Sequence, residues 1–146
     1  MKIAIAADHG GFDLKQKLIA HYSSQGLEMI DLGTDSAESV DYPDYAEKVT
    51  KAVLDGSADC GVLICGTGIG VSIAANRHKG IRAALLYSAE TARLAREHNN
   101  ANVAAFGART MAYDDVVERL DIFLKTPFEG GRHVRRIEKI DVYGGC

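Results

Sequence analysis

Short apolar runs alternate with helical segments along the chain, and this order predicts an α/β fold built on a parallel sheet. The apolar runs lie at 3–7, 28–32, 61–64, 81–87 and 103–106. Continuous apolar runs of this length are typical of strands buried on both faces. We therefore predict a three-layer α/β/α Rossmann-like fold with a five-stranded parallel sheet and a C-terminal helical tail. The chain of 146 residues has the length of one domain, and we assign residues 1–146 to it.

The five runs differ in where they are expected to lie in the sheet. The run at 3–7 is apolar throughout and ends just before Asp8. The run at 28–32 alternates apolar and polar residues and ends at Gly33, which predicts a strand nearer the sheet edge. We expect the three later runs to form further strands of the same sheet.

Apolar residues recur at helical spacing between these runs, which predicts helices there. Pro43 suits a first helical turn that follows Asp41 as N-cap, and another helix begins in the glycine-rich loop after residue 65. Pro127 ends the last of these helices, and 132–140 is a short basic helical stretch. The apolar positions are Phe12, Leu14, Leu18, Ile19 and Tyr22; Ala46, Val49, Ala52 and Val53; Ala89, Ala92 and Ala95; and Val116, Val117, Leu120, Phe123 and Leu124.

Composition argues against several classes of function. The 20 acidic and 17 basic residues leave a net charge of −3, so we expect no nucleic-acid partner. No apolar run approaches the roughly 20 residues that span a bilayer, and the N-terminus does not resemble a signal peptide. We therefore expect no membrane partner and a cytoplasmic location. The cysteines, Cys60, Cys65 and Cys146, have neither a disulfide-framework nor a zinc-site spacing, so we predict no metal.

The strongest chemical signal is the loop 65–70, with the sequence Cys-Gly-Thr-Gly-Ile-Gly. It follows the third apolar run, and ligands of open α/β sheets bind beyond the carboxyl ends of the strands. Alternating glycines let backbone N–H groups turn inward and form a nest for an anion. A thiol at the mouth of that nest is expected to have a lowered pKa. The alternative is a buried structural cysteine before a tight turn.

The spacing of this loop differs from three other functional loops. A dinucleotide-binding loop has the spacing Gly-x-Gly-x-x-Gly, usually after the first strand. A P-loop has Gly-Lys followed by Ser or Thr, whereas Gly70 is followed by Val71. A cysteine phosphatase would have an arginine at position 71 to hold phosphate. The sequence therefore favours none of these three chemistries.

Four further residues are candidates for substrate binding or proton transfer. Asp8 and His9 end the first strand, where a carboxylate beside an imidazole can move protons or bind hydroxyls and phosphate. A purely structural turn is the alternative for this pair. Tyr42 lies beside the expected N-cap and is free to reach a ligand. Arg109, after the fifth run, is a candidate for binding phosphate.

His98 is predicted to lie far from Cys65 within one chain. The helix before it begins near Ser88, at the carboxyl face of the sheet, and runs antiparallel to the strands for about ten residues, roughly 15 Å. A helix-capping role is the alternative for a histidine at this position. If His98 is catalytic, we expect it to serve a neighbouring subunit.

The basic tail contains a second phosphate candidate. Arg132 and Arg136 are four residues apart and share one helix face, so they can hold a phosphate through charge-assisted hydrogen bonds. A solvated basic helix is the alternative.

These motifs, taken in order, resemble ribose-5-phosphate isomerase type B and its relatives that isomerise allose 6-phosphate or galactose 6-phosphate. The resemblance covers essentially the whole chain, and the loop 65–70 is its most specific part. One subgroup of the family has a glutamate in place of Val71, so this chain resembles the cysteine type. The matching blocks are Asp8-His9-Gly10-Gly11; Asp41-Tyr42-Pro43; residues 65–70 with Ile73-Ala74-Ala75-Asn76; Arg96-Glu97-His98-Asn99; and Gly130-Gly131-Arg132-His133.

The resemblance implies an aldose–ketose isomerase without metal or cofactor, acting on D-ribose 5-phosphate and D-ribulose 5-phosphate through a cis-enediolate. It also implies a homodimer, or a dimer of dimers, with each site shared between two subunits. The implied roles are proton transfer by Cys65; ring opening by His98 with Thr67; enediolate binding by the amides of the segment that includes Gly66, Gly68, Ile69 and Gly70; hydroxyl binding by Asp8, Tyr42 and Asn99; and phosphate binding by His9, Arg132, Arg136 and Arg109.

Three alternatives stay open on the sequence alone. The first alternative is an isomerase whose preferred substrate is a six-carbon sugar 6-phosphate (allose or galactose 6-phosphate) and not ribose 5-phosphate. The chain can instead be a sugar-phosphate sensor without catalysis, although the presence of Cys65, Asp8 and His98 together argues against this. It can also be a nucleotide-binding or redox α/β module that uses the glycine loop.

Overall fold

The computed structural model describes residues 1–143, and strands alternate with helices along most of this length. Cys146 lies outside the described residues. The strands are β1 (Lys2–Ala7), β2 (Glu28–Asp31), β3 (Cys60–Cys65), β4 (Ala83–Leu85) and β5 (Val103–Gly107). The helices are α1 (Phe12–Ser24), α2 (Tyr42–Leu54), α3 (Ile69–Ala75), α4 (Ala89–Glu97), α5 (Tyr113–Lys125) and α6 (Arg132–Tyr143).

The strands form one parallel sheet with the order β2-β1-β3-β5-β4. This confirms the predicted α/β/α fold and its five-stranded parallel sheet. The alternating run does form an edge strand, because within residues 1–143 β2 pairs only with β1 and its residues are exposed or half-buried. The strands β2 and β3 follow one another in the chain but lie on opposite sides of β1, so the strand order reverses there. Ligands are therefore expected beyond the carboxyl ends of β1 and β3.

The strand β4 is shorter than the apolar run at 81–87 predicts. The backbone N–H of Ile81 is used in a turn, where it donates to the carbonyl of His78 at 3.0 Å. The N–H of Arg82 donates instead to Oδ1 of Asn102 at 2.8 Å. Ile81 and Leu86 are buried although they lie outside the strand, so the apolar run reflects burial beyond the strand ends as well as pairing.

Helices cover both faces of the sheet and complete the three layers. One face packs Ile5 and Phe106 against Leu18 of α1 and Leu120 of α5, with α4 beside them. The other face packs Leu63 against Val49 of α2 and Val71 of α3. Each face of the central strands is therefore buried, which explains their continuous apolar sequences.

The C-terminal helix α6 extends three residues beyond the predicted stretch 132–140. The N–H of Glu129, just before it, donates to the carbonyl of Glu97 at 3.1 Å. Near its other end, Oδ1 of Asp141 accepts from the N–H of Gly80 at 2.9 Å. Glu97 ends α4 and Gly80 precedes β4, so these contacts fix α6 near the edge of the sheet where the strands begin.

Within residues 1–143, none of the helices is both long enough and apolar enough to cross a bilayer.

Candidate active site

Several of the predicted site residues meet beyond the carboxyl ends of β1 and β3. A Cβ atom built on Gly10 would lie 3.4 Å from the backbone nitrogen of Gly66, so the loop after β1 touches the loop after β3. A Cβ on Gly66 would lie 3.3 Å from Nη1 of Arg109, and one on Gly70 would lie 2.8 Å from Cζ of Tyr42. We call the set formed by Asp8, His9, Tyr42, residues 65–70 and Arg109 the cysteine half-site.

Cys65 is the last residue of β3, beside Gly107 of β5, and 5% of it is exposed. Its Sγ accepts a hydrogen bond from the backbone N–H of Gly68 at 3.1 Å. Gly68 has a φ of 78°, a left-handed conformation that turns the chain back into α3. The turn thus points one loop amide at the sulfur and fixes its position at the mouth of the loop.

The second cysteine of this strand has different surroundings. Cys60 begins β3, at the opposite end of the strand from Cys65, and burial raises the pKa of its thiol to about 11. Cys60 is therefore protonated near neutral pH, as expected for a structural cysteine.

The loop after Cys65 keeps part of its hydrogen-bonding capacity for a ligand. The N–H of Gly68 is used by the sulfur, and the N–H of Ile69 donates to Oγ1 of Thr67 at 3.3 Å. No hydrogen bond among residues 1–143 uses the backbone N–H of Gly66, Thr67 or Gly70. These three amides are the ones that can bind an oxyanion.

Asp8 and His9 both have a structural partner in addition to their place in the half-site. Oδ1 of Asp8 accepts from the N–H groups of Gly10 and Gly11, at 2.9 and 3.2 Å, so Asp8 does form the turn considered from the sequence. Nδ1 of His9 accepts from the N–H of Val40 at 3.2 Å. Because Nδ1 is an acceptor, the proton of the neutral ring lies on Nε2, which can donate to an anion.

Tyr42 is placed over the glycine loop by the start of α2. Asp41 takes the predicted N-cap position with extended backbone, although its side chain makes no capping hydrogen bond. The ring of Tyr42 lies over Gly70, and the side chain is 40% exposed. Tyr42 and Gly70 together line a groove of about 450 Å³ between α2 and α3.

The remaining predicted residues lie elsewhere, in a group that we call the histidine half-site: His98, Asn99, Arg132 and Arg136. His98 follows α4, and its N–H donates to the carbonyl of Leu94, so it has the helix-ending position considered from the sequence. Its ring stacks on that of His133, with centroids 4.4 Å apart and planes at 14°. This contact brings α6, which carries Arg132 and Arg136 on its exposed surface, beside His98.

The two half-sites lie at opposite ends of the strands. The cysteine half-site lies at their carboxyl ends and the histidine half-site near their amino ends. The carbonyl of Asn102, four residues after His98, accepts from the N–H of Gly61 at the start of β3. Cys65 ends the same strand, and the four residue steps between Gly61 and Cys65 span about 13 Å. Asn99 lines a separate groove of about 410 Å³ that includes Arg82 and Ile140. One chain therefore does not bring His98 and Cys65 to one small ligand.

Sequence reasoning missed one cluster in the histidine half-site. Oε2 of Glu129 lies 3.9 Å from Nε2 of His98 and 3.6 Å from Nε2 of His133. Burial, followed by the charges of His98 and Arg132, lowers the pKa of His133. Glu129 and His133 are four residues apart, which is the only sequence signal for this contact, and nothing in the sequence connects them to His98.

Comparisons with known proteins identify the family of the chain. The family described as Ribose/Galactose Isomerase matches residues 3–140. Ribose-5-phosphate isomerase B of Escherichia coli (strain K12) is 48% identical over 139 residues, which are 95% of this chain and 93% of that protein.

Solved structures extend the similarity to the whole fold. A ribose 5-phosphate isomerase from Thermotoga maritima is 55% identical, covers 97% of each chain and has a TM-score of 0.95. Ribose-5-phosphate isomerase B from Mycoplasma genitalium, solved with bound ribulose-5-phosphate, is 46% identical with a TM-score of 0.93, and the match covers 97% of this chain and 95% of that one. The chain therefore belongs to the ribose/galactose isomerase family.

Proposed function

We propose that this chain is an aldose–ketose isomerase that interconverts D-ribose 5-phosphate and D-ribulose 5-phosphate. Its family, its relatives of that activity and the bound ribulose-5-phosphate in one of them support this assignment. The observation in this chain that carries it is the loop 65–70, which presents a thiol and unused backbone amides at one point. We assign the activity to one domain, residues 1–146, in the cytoplasm.

The complete site is proposed to form between two copies of the chain. One copy contributes the cysteine half-site and the other the histidine half-site, because about 13 Å of β3 separates them within one chain. Large exposed apolar side chains in and beside the cysteine half-site support a covering partner: Ile69 is 51% exposed and Ile73 is 60% exposed. A homodimer, alone or as half of a dimer of dimers, satisfies this requirement.

The first step is opening of the sugar ring. The proposed acid and base is His98 of the partner copy, whose imidazole can take the proton of the anomeric hydroxyl and return one to the ring oxygen. Thr67 is exposed on the loop next to Cys65 and is proposed to hold the ring oxygen by its hydroxyl. The product of this step is the open-chain aldehyde.

The second step is transfer of a proton between C2 and C1. The thiolate of Cys65 takes the C2 proton, and the electron pair of that bond forms the double bond of the enediolate while charge develops on O1. A proton then passes from O2 to O1, and the Cys65 thiol returns its proton to C1 as the C2 carbonyl forms, which gives the ketose. The amides of Gly66, Thr67 and Gly70 are proposed to stabilise the charged oxygen, as donors do in an oxyanion hole.

The remaining residues are proposed to bind the ends of the substrate. His9 and Arg109 from one copy and Arg132 and Arg136 from the other would hold the phosphate, so that phosphate binding also joins the half-sites. The sugar hydroxyls would be bound by Asp8 and Tyr42 of one copy and Asn99 of the other.

The family description favours one alternative substrate class. It names galactose beside ribose, so a six-carbon sugar 6-phosphate is the second candidate. A coupled product assay with ribose 5-phosphate, allose 6-phosphate and galactose 6-phosphate at equal concentrations decides between them. We expect the highest kcat/KM for ribose 5-phosphate. A higher value for either hexose phosphate would reassign the substrate, and binding of all three without any product would contradict the enzyme assignment.

A further inference from the structure

Three potential metal ligands meet in the histidine half-site. They are Nε2 of His98, a carboxylate oxygen of Glu129 and Nε2 of His133, and one ligand atom from each residue lies within 4.8 Å of the others. His98 follows α4, Glu129 lies in the loop before α6, and His133 lies in α6. The cluster is therefore assembled by the docking of α6 against the end of α4.

Two imidazoles and one carboxylate form a donor set that zinc uses, with a fourth position left for water. Ligand atoms around tetrahedral zinc lie about 3.3 Å apart, given metal–ligand bonds of about 2.0 to 2.1 Å. Oε2 of Glu129 lies 3.6 Å from Nε2 of His133 and 3.9 Å from Nε2 of His98. Both separations exceed the tetrahedral value by about 0.6 Å or less.

Metal binding requires one of the two rings to tilt. A bound ion lies close to the plane of each imidazole, whereas the rings of His98 and His133 are stacked 4.4 Å apart at 14°. The His133 side chain is 7% exposed, so its position is fixed by packing. The His98 side chain is 37% exposed and lies just beyond the end of α4, so His98 is the ring that can tilt toward the ion.

The charges around the cluster indicate a reversible site. Glu129 supplies the negative charge of the cluster. The positive charges of Arg132 and Arg136, on the same helix as His133, disfavour a further cation there. We therefore expect weaker binding than at a structural zinc site, and occupancy that follows the metal concentration.

We propose that His98, Glu129 and His133 form an inhibitory binding site for a divalent transition metal ion, with zinc as the best fit. An ion on Nε2 of His98 occupies the lone pair that ring opening needs, so metal binding and catalysis exclude each other. The inhibitory part of this proposal rests on the proposed isomerase function, whereas the metal site itself does not.

Calorimetric titration with zinc chloride tests the site without reference to activity. The titrated protein carries Cys65→Ser and Cys146→Ser, which remove the thiols that would also bind zinc. We expect one zinc ion per chain, and Glu129→Gln should weaken binding about tenfold or more because the anionic ligand is lost. Glu138→Gln is the control, since Glu138 is an exposed glutamate of α6, the helix that carries His133, and lies outside the cluster. No binding, or equal binding by both glutamine variants, would overturn the site.

Zinc inhibition of the cysteine-containing enzyme tests the regulatory part. Each variant is compared with its own rate in metal-free buffer, so that any effect of the substitution on catalysis cancels. We expect Glu129→Gln to need about ten times more zinc for half inhibition than Glu138→Gln. Equal sensitivity would place the inhibition at Cys65 and overturn this part. Lack of isomerase activity in the metal-free protein would instead contradict the proposed function, and the calorimetry would still decide the metal site.

Discussion

Cys65 and Cys60 lie at the two ends of the same strand, and only Cys65 adjoins a glycine loop. The N–H of Gly68 donates to the sulfur of Cys65, whereas burial keeps the Cys60 thiol protonated. At the scale of single residues, the proposed chemistry therefore depends on the surroundings of Cys65, since the two cysteine side chains are themselves identical.

Cys65→Ala is expected to lower kcat by about 10² to 10⁴ or more, because the general base is lost. Substrate binding should stay within a few-fold, since the loop amides remain. Steady-state kinetics with ribose 5-phosphate and binding of the same sugar by calorimetry measure the two effects. Cys60→Ala is the control and should keep most of the turnover. A Cys65→Ala enzyme with most of its kcat would refute the assignment of the base.

Arg132→Ala or Arg136→Ala is expected mainly to raise KM. The lost charge-assisted contact contributes roughly 1 to 3 kcal/mol of binding free energy. Arg135→Ala is the control, because Arg135 is another exposed arginine of α6 to which no phosphate contact is assigned. The measurement is KM for the phosphorylated sugar in all three variants. If neither Arg132→Ala nor Arg136→Ala differs from Arg135→Ala, the basic helix does not bind phosphate.

Residue types and order were enough to predict most of the cysteine half-site, because its members follow strand ends that meet at one edge. The cluster of His98, Glu129 and His133 could not be predicted from the sequence. Its contacts depend on where α6 docks, and that docking rests on hydrogen bonds such as the one from Gly80 to Asp141 that no sequence pattern marks.

At the scale of elements, the turn from β3 into α3 determines where the thiol and the amides lie. Gly68 is left-handed, and a Cβ there would lie 2.5 Å from Cδ1 of Leu85 and 2.8 Å from the carbonyl carbon of Phe106. Gly26 is left-handed too, with a φ of 84°, but nothing lies within 4 Å of its Cβ position. Substitutions at these two glycines therefore distinguish the energetic cost of backbone strain from the cost of steric overlap.

Gly26→Ala is expected to cost about 1 to 2 kcal/mol, from the left-handed backbone alone. Gly68→Ala should cost about 1 to 3 kcal/mol more, because the added methyl group overlaps the core behind the loop. Urea unfolding of both variants measures the free energies, and kcat reports the displaced loop. Equal destabilisation would mean that the core behind Gly68 accommodates a side chain.

The elements themselves were predictable to different degrees. The central strands β1, β3 and β5 have continuous apolar sequences because both faces are covered. The run at 81–87 is apolar except for Arg82, but at the sheet edge its first residues form a turn and a side-chain contact, so β4 covers Ala83–Leu85 alone. Apolar sequence reports burial, and pairing at an edge depends on tertiary contacts.

At the scale of the whole molecule, the proposed mechanism assigns each step to protein groups and calls for no resident metal. Exhaustive treatment with EDTA is therefore expected to leave the isomerase rate unchanged, or to raise it where trace zinc had occupied the histidine half-site. The rate before and after treatment, followed by addition of zinc or manganese, is the measurement. A lost activity that either ion restores would show that catalysis depends on a metal.

The direction of one helix was enough to predict that His98 lies away from Cys65. Which chain supplies Arg132 and Arg136 was not predictable, because the position of a C-terminal helix depends on its docking. The stacking of His133 on His98 places both arginines on the side of His98. A complete site in the proposed mechanism thus needs two copies of the chain.

Subunit complementation tests this claim most directly. Cys65→Ala and His98→Ala chains, each inactive alone, are mixed under conditions in which exchange of subunits is verified by mass spectrometry. In a mixed dimer one site carries both defects and the other carries neither. Random exchange makes about half of the dimers mixed, so about a quarter of all sites should regain activity. No recovery despite verified exchange would mean that His98 and Cys65 act from one chain, which would contradict the shared site.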